Sequence, residues 1–293
     1  MENWGLITFK SRFLYGEESL VTQVIAHEIA HQWFGNLVTT HWWNELWLNE
    51  GFASLYEYLA TDYISDGKYS FKKLIESNTK KYLSIHSLGN DTKPATKTID
   101  SLASIANAFD IATYAKSGII LNMFRKVIGI KQFDESIRQY LKGQSYSTSN
   151  SRVFFSYFQM PRGNGPSSVD EFLRPWFEQV GHPLITVDHF NETHNILSQS
   201  RFDNGKLKEI DNQTPYPFWK YQWDIPVWYL NENNDLEYVW LFKNSTAIVR
   251  KNAKLNPEGS GIYKIKNNVE AQKLQESGQR TTFPLFNVHM DII

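Results

Sequence analysis

Two histidines and a glutamate stand together in the run His27-Glu28-Ile29-Ala30-His31. Residues four apart on a helix share a face one turn apart, so both imidazoles can chelate a single ion. Glu28 lies a third of a turn from His27, close enough to hold a metal-bound water without itself being a ligand. The neighbours Ile29, Ala30, Trp33 and Phe34 are apolar, and a buried His-Glu-His cluster left unpaired would be costly. A catalytic zinc site takes three protein ligands and keeps one position open. Glu50, in Trp47-Leu48-Asn49-Glu50-Gly51-Phe52-Ala53, follows His31 by 19 residues, room for a turn and an antiparallel return. The expected cofactor is therefore one Zn2+ per chain on His27, His31 and Glu50. Zinc brings the pKa of its water toward ~7, and Glu28 then takes the proton and passes it to the leaving amine. This chemistry is that of a metallohydrolase, and it leaves endopeptidase and exopeptidase equally open.

The elements that must position these groups are helical. From Ser19 to Phe34 the apolar residues Leu20, Val24, Ile25, Ala26, Ile29, Ala30 and Trp33 recur at helical spacing, and Gly35-Asn36 reads as a stop. A second helix is predicted after Asn44, through Leu48, Phe52, Leu55 and Leu59, ending before Asp66-Gly67. Glu57, seven residues after Glu50, falls on the same face and is placed to support a ligating histidine. A third helix is predicted over Ala112 to Ile128, closed by Gly129, with helical fragments continuing to about Gln179 around a loop from Pro161 to Ser168. After Gly181-His182-Pro183 the pattern changes. Runs at 184–187, 195–201, 225–230, 236–242 and 261–265 are rich in β-branched and aromatic residues, separated by turn-formers such as Asp203-Asn204-Gly205 and Asn231 to Asn234. That spacing suits a small antiparallel β-sandwich of roughly 80 residues. The expected fold is α+β and multidomain: a mostly helical catalytic portion over 1–182, a β-sandwich over 183–266 and an irregular tail over 267–293.

Composition bounds the alternatives. A chain of 293 residues is about two ordinary domains of ~150. A net charge of -1 provides no basic field for nucleic acid or an anionic membrane surface. The absence of cysteine excludes disulfides, thiolate zinc sites and cysteine nucleophiles. No apolar run approaches the ~18 residues of a membrane span. Five of the ten tryptophans fall in the first 47 residues, and Trp33, Trp42, Trp43 and Trp47 are expected to pack as core around the two metal-bearing helices.

The runs Met1-Glu2-Asn3-Trp4-Gly5-Leu6-Ile7-Thr8, His27-Glu28-Ile29-Ala30-His31-Gln32-Trp33-Phe34-Gly35-Asn36 and Trp42-Trp43-Asn44-Glu45-Leu46-Trp47-Leu48-Asn49-Glu50-Gly51 closely resemble the zinc aminopeptidases of the aminopeptidase N type. The likeness extends to Tyr114-Ala115-Lys116, to Trp176 through Pro183 and to Gly261-Ile262-Tyr263-Lys264, roughly residues 1 to 266. It implies a thermolysin-like catalytic portion in which His27, His31 and Glu50 are the zinc ligands and Glu28 is the general base. It further implies that Glu2 of the Gly-x-Met-Glu-Asn motif grips the substrate's free α-ammonium and that Tyr114 donates to the tetrahedral oxyanion. The substrates would be peptides with a free N-terminus. A possible homodimer is implied for the full-length parent, as is a plasma-membrane location with an extracellular catalytic domain, a cytoplasmic parent being the alternative.

Departures from the family pattern are informative. The chain opens at Met1, inside the Gly-x-Met-Glu-Asn motif, and the family's preceding β-domain and its large C-terminal helical domain are not in it. The resemblance thus implies a piece of a longer protein. The family's Tyr-x-Lys-Gly reads Tyr114-Ala115-Lys116-Ser117 here, with glycine one place later. Two rivals stay beside the aminopeptidase reading: a zinc endopeptidase without the amine anchor, and a catalytically impaired fragment acting only by binding. Asn90, Asn191, Asn212 and Asn244 each open an Asn-x-Ser/Thr sequon, about as many as chance supplies in so Asn-, Ser- and Thr-rich a chain.

Overall fold

A computed structural model describes residues 1–87, 93–163, 165–203 and 219–269 of the chain. Its first long element, α1 (Glu18–Ala30), carries the two histidines. The apolar periodicity runs on to Phe34, but the backbone does not stay α-helical. Beyond Ala30 the N–H groups of Asn36, Leu37 and Val38 donate five residues back, to the carbonyls of His31, Gln32 and Trp33. Gly35, at φ +132°, then turns the chain into β1 (Val38–Thr40).

After a single turn at Trp43–Glu45, α2 (Trp47–Ile64) runs back along α1. Its first half is buried almost all round, from Trp47 to Leu55 apart from Asn49, so it is a core helix rather than an amphipathic one. Trp47 anchors it: its ring stacks on Phe177 with centroids 3.6 Å apart, and its Nε1 donates to Thr96 Oγ1 at 3.1 Å. The tryptophan cluster divides here. Trp47 is core as expected, whereas Trp33, Trp42 and Trp43, in the bends that follow α1 and precede α2, are 48%, 51% and 38% exposed.

The helices α3 (Phe71–Ser87) and α4 (Leu102–Ala106) lead to a widened five-residue turn, Ala112–Lys116, that runs straight into α5 (Ser117–Ile128). α5 lies against α2 at a glycine contact. A Cβ on Gly51 would fall 2.6 Å from Ser117 Cβ, and one on Gly118 would fall 3.2 Å from Ser54 Cβ. Then come α6 (Ile130–Gly143), β2 (Ser147–Ser149, parallel to β1), α7 (Ser151–Ser156) and α8 (Val169–Glu178).

Past α8 the chain is made of strands, as the composition shift predicts. A four-stranded sheet orders β7 (Ala247–Arg250), β4 (His194–Arg201), β3 (Pro183–His189) and β9 (Lys264–Asn267). A three-stranded sheet orders β6 (Leu236–Leu241), β5 (Ile225–Leu230) and β8 (Lys254–Leu255). The pairing is not wholly antiparallel: β9 returns beside β3 in parallel, with Leu184 opposite Lys264, because the second sheet is completed between them. Ile185, Val187 and Leu197 of one sheet and Ile225, Val227 and Leu241 of the other join the apolar cluster that also holds Trp176 of α8. The molecule is thus a mixed helix-and-sheet protein. Among the described residues, no helix is long and apolar enough to cross a membrane. Of the predicted irregular tail, residues from 270 on lie outside the described residues, as do Asn90 and Asn212 of the sequons.

Candidate metal centre

α1 and α2 bring His27, His31 and Glu50 to one point. Glu50 Oε2 lies 3.2 Å from His27 Nε2 and 3.1 Å from His31 Nε2, and the two imidazole nitrogens are 3.1 Å apart. The far nitrogens are already committed. His31 Nδ1 faces the Phe34 carbonyl at 2.9 Å, and His27 Nδ1 faces Glu57 Oε2 at 3.0 Å. A carbonyl oxygen only accepts, so His31 Nδ1 carries a proton and its Nε2 is the nitrogen turned inward toward Glu50. Glu57, on the α2 face predicted for it, orients His27 in the same sense. Two imidazole nitrogens and a carboxylate oxygen therefore converge on one point, where they need shared protons or a cation between them. Nitrogen and oxygen donors in that number suit a divalent ion such as zinc.

The proton affinities of the cluster express the same demand. Burial disfavours charge on His27, but hydrogen bonds to Glu50 and Glu57 outweigh it and raise the imidazole to about 9. Burial likewise pushes Glu50 up, and its hydrogen bonds to His27 and His31 overcome this and bring it down to about 2. The centre attracts positive charge and holds Glu50 ionised.

Glu28 is not in the ligand set, which among the described residues is His27, His31 and Glu50. Its Oε2 points to a neighbouring space, 3.1 Å from the Met1 α-ammonium, and Glu2 Oε2 approaches the same nitrogen at 3.9 Å. The two carboxylates thus border one space beside the His27, His31 and Glu50 cluster. Tyr114 completes the group from a third element, with its ring stacked on His27 at 5.9 Å and an interplanar angle of 22°. Burial first, and then Glu50, Glu2 and Glu28, raise the Tyr114 hydroxyl far above its ordinary range, so it keeps its proton as a donor. All six sequence-predicted site residues are therefore neighbours, although they come from the N-terminal segment, α1, α2 and the turn before α5.

The sequence reading missed what holds Tyr114 in place. Asp110 Oδ1 accepts the backbone N–H groups of Ala112 and Thr113 at 3.1 and 3.0 Å, capping the widened turn. Lys97 reaches in from a distant loop, with Nζ 3.0 Å from Asp110 Oδ1 and 2.6 Å from Thr113 Oγ1. Asp110 lies four residues before Tyr114 and is readable in hindsight as a cap. Lys97 carries no local signal. Among the other histidines, His182 is buried beside Tyr82 and Phe202, and His41, His189 and His194 stand outside the cluster. His289 lies outside the described residues.

Residues 1–176 match the peptidase family M1 domain. The chain belongs to peptidase family M1. Aminopeptidase N of Haemonchus contortus is 34% identical to it over 258 residues, 82% of this chain and 26% of that protein. Aminopeptidase N of Homo sapiens is 32% identical over 98% of this chain and 31% of its own length. Glutamyl aminopeptidase of Sus scrofa is 31% identical over 90% of this chain and 29% of its own length. The chain spans about a quarter to a third of the length of these curated relatives.

Proposed function

We propose that this M1 chain carries the chemistry of a zinc aminopeptidase, removing the first residue of peptides with a free N-terminus. The observation that carries the reading is the convergence of His27 Nε2, His31 Nε2 and Glu50 Oε2, with Glu28 beside the set and outside it. His27, His31 and Glu50 would hold one Zn2+, which when bound supplies Lewis acidity to a carbonyl and acidifies water. Glu28 takes the proton of the attacking water and delivers it to the departing amine. Tyr114, protonated by virtue of its burial, donates to the carbonyl oxygen as negative charge gathers there. Glu2 pairs with the substrate's α-ammonium and so favours a free N-terminus one residue ahead of the scissile bond. Its position beside Glu28 favours this reading over an endopeptidase. In this reading residues 1–182 form a thermolysin-like catalytic unit, 183–266 a β-sandwich and 267–293 an irregular tail.

The test is metal content together with hydrolysis of an amino-acid arylamide and its N-acetyl counterpart by the zinc-loaded full chain. The expected result is one zinc per chain and hydrolysis of the free substrate at least about a hundredfold faster than the blocked one, the scale of losing a charge-assisted contact. Equal rates on both would replace the aminopeptidase with an endopeptidase. A chain that takes up no zinc would leave a fragment that acts by binding.

A further inference from the structure

The stretch that follows the second histidine, Gln32-Trp33-Phe34-Gly35-Asn36, contains two amides that the site chemistry does not use. Both point at the N-terminal segment. The Glu2 carbonyl accepts from Gln32 Nε2 at 3.0 Å and from Asn36 Nδ2 at 2.6 Å. Gln32 Oε1 in turn accepts the Gly5 N–H at 3.2 Å, so a single side chain holds the segment by a donor and an acceptor. The segment is folded to meet it. Leu6 N–H donates to Asn3 O at 2.9 Å across a tight turn, with Gly5 at φ +80° where glycine is favoured. Trp4 lies against Tyr146 with ring centroids 5.8 Å apart. The Glu2 carboxylate remains open, its side chain 39% exposed. The backbone of Glu2 is pinned while its acid is left free to take a ligand.

We propose that Gln32 and Asn36 are positioning residues for recognition of the substrate's amine. Both stand on the same continuous backbone as the ligand His31, one and five residues beyond it. By fixing the Glu2 carbonyl they fix the Cα from which its carboxylate extends, and hence the separation between amine anchor and metal ligands. That separation decides how many residues fit ahead of the scissile bond. This inference rests on the aminopeptidase reading for the role of Glu2 and adds the device that sets its register.

The test uses the zinc-loaded full chain with Gln32→Met, Asn36→Ala and the two combined. Neither substitution touches a metal ligand, so zinc content should stay at the wild-type level. Amide hydrogen exchange over residues 3–8 should speed up about tenfold or more in the double variant, with α1 and α2 unchanged, as expected when local hydrogen bonds are lost. KM for an unblocked arylamide should rise about tenfold with kcat within about twofold, the pattern of lost uniform binding. The preference for free over N-acetylated substrate should shrink by the same factor. Asn36→Ala alone, at a turn beyond α1, provides the same readouts where the double variant does not fold. Unchanged exchange over 3–8, or faster exchange with KM and selectivity intact, overturns the proposal. A wild-type chain that cleaves free and blocked substrates alike overturns the aminopeptidase reading instead, and exchange then still decides whether the two amides hold the segment.

Discussion

At the scale of single residues, the proposed roles divide the centre into groups that would hold a cation and a group that would move a proton. His27, His31 and Glu50 face one another, whereas Glu28 faces away into the space that Glu2 borders. Glu28→Gln should therefore leave zinc content intact and lower kcat by about a hundred- to ten-thousandfold, the range of a positioned general base. Tyr114→Phe should cost about 3 kcal/mol of transition-state stabilisation, read as a fall in kcat with little change in KM. A Tyr114→Phe chain with wild-type kcat would remove the oxyanion role. The clustering of His27 and His31 was legible in the sequence because helical spacing alone puts them on one face. Gln32 and Asn36 were not, since their partners are backbone groups of Glu2 and Gly5, about thirty residues away. No periodicity encodes such a contact.

At the scale of elements, the approach of α5 to α2 sets the distance between Tyr114 and Glu50. The contact is as tight as glycine allows at Gly51, which meets Ser117. Gly51→Ala should destabilise the chain by about 1–3 kcal/mol through overpacking. Ser117→Gly should recover part of that loss in the double variant, even though it forfeits the Ser117 Oγ hydrogen bond to Ala112 O of 2.9 Å. Denaturant unfolding of the four chains checks the coupling, and additive effects would show that the two residues do not share the contact. The sequence led to one uninterrupted helix from Ala112 to Ile128, which is correct in extent. The widening at Ala112–Lys116 was not legible: the Asp110 that takes its first N–H groups is held by Lys97, which leaves no local signal beside the turn. The end of α1 behaves alike: the apolar pattern reaches Phe34 while the backbone changes its hydrogen bonding after Ala30.

At the scale of the whole molecule, Lys116 ties the widened turn of Ala112–Lys116 to the exit of α8. Its Nζ, fully buried, donates to Gln179 O at 2.7 Å. Burial, followed by the charges of Lys97 and Arg201 with Asp110 opposing them, lowers its pKa to about 7. The folded value lies below the ~10.4 of an unfolded lysine, so between about pH 7 and 10 the unfolded chain binds the extra proton. This group therefore makes stability rise with pH across that window and imposes its full penalty below it. Lys116→Met should flatten that part of the stability–pH profile measured by denaturant unfolding; an unaltered slope would assign it to other groups. The order of helices followed by strands was legible from the composition change at Gly181-His182-Pro183. The parallel return of β9 was not, because strand direction is settled by where the second sheet sits rather than by any residue of Lys264–Asn267.

That return strand also bears on how the chain assembles. The edge of β3 that will carry Lys264–Asn267 is made 80 residues before its partner, as the pairing of Leu184 with Lys264 shows. At ordinary synthesis rates of about 5–20 residues per second, that edge waits roughly 4–16 seconds on the ribosome. The pairing of α1 with α2, by contrast, joins residues only about 20–30 apart, His31 with Glu50 and His27 with Glu57. Throughout that interval an unpaired strand is open to a neighbouring chain, so the last few residues of the sheet act as a built-in safeguard against aggregation.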